Sequence, residues 1–184
     1  MLTGCRGGII TYIEKKLNRP LQWLICLLHF NELPLKHLIK AVYGIPTGPN
    51  NFCGPITNEL KICETKPVLD KFEIITCEFP EIDKKNLSSD QQYLWEIAHS
   101  VASGICPTSL AAKIPGNMSL SRWLNTASRF LRLWISEEKP NKNLRTIVTF
   151  IMKVYVPLWF QIKKINAACM AQNIYLPLLK CLDI

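Results

Sequence analysis

The sequence predicts a mainly α-helical chain with a single strand, on three observations. Apolar residues recur at three- and four-residue spacing through most of its length, and helix start and stop residues flank those stretches. Only Leu21–Leu28, an apolar run after the breaker Pro20, reads as a strand.

Taken in order, Met1–Gly8 is a glycine-rich turn, and Ile9–Asn18 is a helix with Ile10, Ile13 and Leu17 on one face and Lys15 and Lys16 late. After the strand, Asn31 can cap a helix to Tyr43, with Glu32 and Pro34 in its first turn and Leu35, Leu38, Ile39 and Val42 inward. Gly44 stops it. Gly44–Pro55 is a run of turns, and a short helix follows near Ile56–Cys63. Phe72–Phe79 has the β-branched and aromatic content of a strand with partial alternation.

Ser88 with Gln91, and Ser89 with Gln92, give capping-box spacing for a helix to Ser103, ended by Gly104. Ile105–Met118 is a loop. Ser119 caps the next helix, whose apolar stripe runs through Trp123, Leu124, Ala127, Leu131, Trp134 and Ile135. Arg122, Asn125, Arg129 and Arg132 share the opposite stripe. A helix over 143–164 puts Ile147, Phe150, Ile151, Val154 and Leu158 inward and is kinked or divided at Pro157. A last apolar helix over 166–182 contains Pro177.

Composition bounds the function. At 184 residues the chain has room for about one domain. With 48% hydrophobic residues and a mean hydropathy of +0.10 it carries more apolar surface than a solvated domain needs, which suggests a partner. The N-terminus has no apolar leader core and the longest apolar runs are too short for a bilayer, so an intracellular protein, nuclear or cytoplasmic and not secreted, is expected, with no membrane contact. Eight cysteines without a secretory signal read as reduced thiols.

Most of the net charge of +8 lies between Ser119 and Ile165, where nine Lys and Arg face two Glu. That invites an anionic partner, nucleic acid first. Arg122, Arg129 and Arg132 would present guanidiniums to phosphates, with Arg145 beside them and Trp123 as a stacking ring; a solvated face and a core tryptophan explain the same residues equally well or better. Cys26-x-x-His29 offers two soft metal ligands where a closed zinc site needs about four, and no second pair exists. A buried thiol with a histidine bonded to backbone fits better. The acids are dispersed and assemble no triad for divalent ions. No metal, cofactor or small-molecule substrate is expected.

Three segments together resemble hAT-type DNA transposases. Cys26-Leu-Leu-His29-Phe-Asn31-Glu-Leu33 is similar to the family's C-x-x-H…N-x-L segment. Ser121-Arg122-Trp123 and the helix after it resemble its [S/T]-R-W segment. Gly4-x-x-Gly7-Gly8 followed by a helix resembles the stretch after its second catalytic aspartate. Residues 7–35 resemble in particular a divergent group of transposon-derived proteins.

The resemblance implies a ribonuclease-H-like domain interrupted by a helical insertion. On that map residues 1–30 are a catalytic-domain remnant of one helix and one strand, and 31–184 are mostly insertion domain, with a boundary at the 104–118 loop as a variant. It implies that Cys26 and His29 lie near an active site and that Trp123 assists in handling flanking DNA. The full family would use a divalent metal such as Mg, held by acids that this chain does not contain. The expectation is therefore an inactive transposase fragment with residual DNA binding. Its alternative is a domesticated helical module that docks a protein, another transposase copy or itself.

Overall fold

The computed structural model describes residues 8–19, 27–44, 54–118 and 122–171. Among them the chain is mainly helical and contains no strand. Eight helices follow in order: α1 (Ile9–Leu17), α2 (Leu27–Tyr43), α3 (Thr57–Lys61), α4 (Ser89–Ser103), α5 (Thr108–Ala111), α6 (Arg122–Trp134), α7 (Lys142–Phe150) and α8 (Val156–Ala171). The predicted helix over 166–182 continues α8 to Ala171, and its remainder lies outside the described residues.

The core is built around α6, which packs most extensively on α4 and also on α7, α3 and α2. Every residue from Leu124 to Ile135 is buried. Leu124, Ala127, Phe130, Leu131 and Trp134 fill the interior, and the Tyr43 ring of α2 sits 6.1 Å from that of Phe130. The second layer is α2 against α7 and α8, with Leu35 and Ile39 fully buried and Leu38 and Val42 half-buried as their spacing predicts.

α4 begins and ends where its sequence dictates. The Ser88 N–H donates to Gln91 Oε1 at 3.2 Å, and Gly104 closes the helix with φ +75. It is the positive φ that requires glycine there, since a Cβ would meet only the exposed Ile74 side chain, which can move aside.

Three expectations are corrected. First, α2 starts at Leu27, so the predicted strand cannot reach Leu28, and Pro34 lies inside the helix instead of in its first turn. The rest of that strand, with Cys26, lies outside the described residues. Asn31 does not cap. It is buried one turn into α2 and donates from Nδ2 to the Tyr155 carbonyl at 3.1 Å. α2 runs unbroken across residues 30 and 31.

Second, Phe72–Phe79 is an irregular strap, not a strand, because helix ends and side chains take its polar groups instead of a second strand. The Ile75 N–H donates to the Val101 carbonyl at 3.3 Å, and Trp134 Nε1–H donates to the Glu73 carbonyl at 2.9 Å. Its partial alternation is real: Ile75, Cys77 and Phe79 turn inward while Ile74, Thr76 and Glu78 face out.

Third, the predicted interruption at Pro157 takes the form of a π-helical turn, Ile151–Tyr155, between α7 and α8. The Val156 N–H donates five residues back to the Ile151 carbonyl, one residue more than in an α-helix. One extra residue rotates the following face by about 100°. The inward positions therefore shift from Val154 and Leu158, which are exposed, to Tyr155 and Trp159, which are buried.

Candidate functional site: the arginine helix

α6 has the strongest segregation of apolar and polar residues by sequence, yet water reaches neither face. Its polar face lies beneath two covers, residues 60–66 and 111–117. Arg129 is 7% exposed and Arg132 2%. The predicted surface stripe is thus turned inward at both positions, and Asn125 beside them is fully buried.

Arg129 joins both covers to the helix. Nη1 donates to the Leu60 carbonyl at 2.8 Å and to Glu64 Oε2 at 3.0 Å. Nε donates to the Gly116 carbonyl and Nη2 to the Pro115 carbonyl, each at 3.0 Å. The carbonyls are those of the last turn of α3 and of residues 115 and 116, and among the described residues no backbone N–H outside a helix donates to them. A planar fork of five donors satisfies them where lysine's point charge could not.

Arg132 repeats the arrangement one turn on, from Nη2 to the Lys66 carbonyl at 3.0 Å and from Nη1 to Ser136 Oγ. Its Nε is buried without a hydrogen-bond partner among the described residues. Asn125 Nδ2 holds the second cover, donating to the Asn117 carbonyl at 2.9 Å and to Asp90 Oδ2 at 3.1 Å. The 104–118 segment, offered by sequence as a boundary, is in this way bonded across to α6.

The remaining predicted residues separate. Arg145 of α7 is on the surface, ion-paired with Glu73, its guanidinium carbon 5.6 Å from the centre of the Trp134 ring. Trp123 is half-buried against the core. Arg122 opens α6 and His29 lies in the first turn of α2, but both side chains, like Cys26, are outside the described residues. A guanidinium whose donors already face protein acceptors reaches a phosphate only if its cover lifts. Arg129 and Arg132 therefore act as struts in this conformation.

The interior chemistry around the struts is inert. Cys63 Sγ lies 3.8 Å from Arg129 Nη1, yet burial pushes the thiol up to about 12, outweighing the guanidinium that lowers it. Cys63 is thus a neutral thiol, a small buried hydrophobe. Among the described residues no three His, Cys, Asp or Glu side chains gather as metal ligands, and no helix is long and apolar enough to cross a membrane.

Sequence reasoning missed Glu64 and the 60–66 cover, which meet α6 only in three dimensions. One signal was present. From Arg122 to Trp134 α6 contains no Lys, Asp, Glu or Gln, and its polar positions are Asn, Thr, Ser and Arg. A solvated helix face normally mixes charges of both signs, whereas here Arg is the sole charged type, and Arg is buried only when paired. No protein-family model, curated protein or solved structure matches the chain.

Proposed function

We propose that the chain is the helical insertion-type part of a transposase-derived protein and that it acts by binding, without catalysis of its own. One contrast carries this reading. The helices from α2 to α8 bury a continuous core, whereas four apolar residues of α1 are open: Ile9 is 55% exposed, Tyr12 67% and Leu17 50%, with Ile13 beside them. Among the described residues α1 is not one of the elements that pack closely on one another. A helix with that pattern is made to lie on another apolar surface.

The hAT resemblance supplies the occupant. In a ribonuclease-H-like fold a helix at this place covers a sheet, so α1 is offered to the sheet of a transposase catalytic domain. Covering these half-open side chains is worth about 1 kcal/mol each. In size-exclusion light scattering the chain then forms a defined complex with such a domain, or a defined oligomer in its place. Ile13→Glu with Leu17→Glu abolishes the complex and leaves the unfolding midpoint of the body unchanged. A monomer at every concentration that ignores the catalytic domain refutes the proposal.

A second reading, non-specific DNA binding, is favoured by the exposed Lys139, Lys142, Lys153 and Lys164 of the basic region. It places the contact on these lysines, with Arg122 and Arg145, and not on Arg129 or Arg132. Lys142→Ala with Lys153→Ala then weakens binding and lowers the salt slope by about 2.

A further inference from the structure

A cleft of about 530 Å³ opens between the second half of α4 and the segment around α5. It lies within the size range of sites that enclose small ligands, about 300–1,000 Å³. An annex of about 170 Å³ shares Lys84, Trp95 and Glu96 with it and adds Lys85 and Gln92. Neither arginine strut nor α1 takes part.

The lining is chemically sorted. Trp95, Ile105 and Leu110 supply apolar wall. His99 projects from α4 between two rings, its own centroid 4.0 Å from Phe79 and 4.3 Å from Trp95, so its plane is fixed. His99 Nδ1 lies 2.9 Å from the Trp95 carbonyl. A carbonyl only accepts, so Nδ1 carries the proton and Nε2 of the neutral ring is an acceptor. Among the described residues Nε2 has no hydrogen-bond partner, it is not among the buried unpaired atoms, and its ring lines the cleft.

One turn earlier on the same helix, Glu96 turns its carboxylate toward the cleft and binds Lys113 Nζ at 2.7 Å through Oε2, leaving Oε1 as a second acceptor. At the rim, Lys84 and Lys85 are exposed and Lys113 half-exposed, three cations against the single carboxylate. Lys84 has no ion pair among the described residues and sits close enough to His99 to disfavour its protonation. Two acceptors inside an apolar wall and cations outside complement a molecule with N–H donors on a flat ring and negative charge at its other end.

We infer that this cleft binds a nucleotide-type ligand, its heteroaromatic N–H groups received by His99 Nε2 and Glu96 and its phosphate by Lys84 and Lys113. The sequence carried no sign of such a ligand, because Lys84, α4 and the α5 segment line one space only once α5 folds back beside α4. The inference is independent of the role given to α1. The same chemistry comes either from a free mononucleotide or from an unpaired nucleotide of a strand.

The test titrates AMP, adenosine, ribose 5-phosphate and an oligo-dA strand into the full chain. It follows the histidine ring proton signal that disappears in His99→Gln. AMP is expected to shift that signal saturably, and removal of the phosphate or Lys84→Glu to weaken binding about tenfold, as for one lost charged hydrogen bond. Ser109→Trp, on an exposed lining position, is expected to block the cleft. If the strand binds at least tenfold tighter than AMP and is lost in the same variants, the ligand belongs to single-stranded nucleic acid. If the two bind alike, it is a free nucleotide. No His99 shift with either at millimolar ligand, equal binding of ribose 5-phosphate, or unchanged binding in both variants overturns the inference.

Discussion

Replacing Arg129 by Met keeps the volume of the side-chain stem and removes the donors and the charge. Four backbone carbonyls, those of Leu60, Lys61, Pro115 and Gly116, then lose their partner, and no substitution can remove them. Glu64, whose side chain is 26% exposed, loses its ion pair at 3.0 Å. Breaking one side of a buried charged network typically costs about 3–5 kcal/mol, and the carbonyls put this site within that range. For a chain of this length the midpoint of thermal unfolding should fall on the order of 10 °C. Urea unfolding followed by circular dichroism measures the loss directly. Arg129→Lys should recover only part of it, since an ammonium cannot reach both covers. DNA binding by the molecules that remain folded should be unchanged. If Arg129→Met costs under about 1 kcal/mol and instead weakens DNA binding with a shallower salt slope, the inward strut is wrong and the surface stripe is restored.

Four further outcomes follow from the packing. Asn31→Leu removes the bond to the Tyr155 carbonyl in the π-helical turn and should cost about 1–2 kcal/mol in urea unfolding. Trp159→Ala should cost about 3–5 kcal/mol while Leu158→Gln stays within about 0.5, the reverse of the order an unbroken α-helix requires. Tyr155→Phe should be neutral or stabilising, because its hydroxyl is buried without a hydrogen-bond partner among the described residues; a loss above about 1 kcal/mol in the same assay contradicts that. His99 is held below the usual histidine value chiefly by burial, so between about 6.5 and its lower folded value the unfolded chain binds the extra proton. Stability should therefore fall as pH drops below about 6.5 and level off once the folded histidine also titrates. His99→Gln should flatten that part of the profile.

How much of this was legible in the sequence depends on whether a feature is local. The ends of α4 were, since Ser88, Gln91 and Gly104 act within one turn of the residues they terminate. So were the inward residues Leu35 and Ile39 and the break near Pro157, each a matter of period or of a missing N–H. The face after the break was not, because one residue in a π-helical turn moves every later side chain and no periodicity reports it beforehand. Phe72–Phe79 has strand composition, but whether such a segment pairs depends on a second strand being near, and here its neighbours are α4 and α6. The arginines mislead most. Helical spacing correctly put Arg129 and Arg132 on the face opposite the apolar stripe, but spacing cannot tell a face open to water from one roofed by carbonyls sixty residues away. Arg145, one helix on, is exposed and ion-paired with Glu73, a partner 72 residues away that spacing could not name. The cleft beside His99 left no trace at all.

Amide hydrogen exchange on the intact chain tests the central claim, a self-sufficient body centred on α6 with α1 offered to a partner, more directly than any single variant. Amides from 124 to 135 should be the last to exchange, opening only with global unfolding. Those of α1 should be among the first at low protein concentration and should slow when a transposase catalytic domain or a second copy is bound. If α6 exchanges as early as α1, it is not the buried centre of the fold. If α1 is already protected in the isolated monomer, its apolar face is covered within the chain, and the proposed docking role is lost.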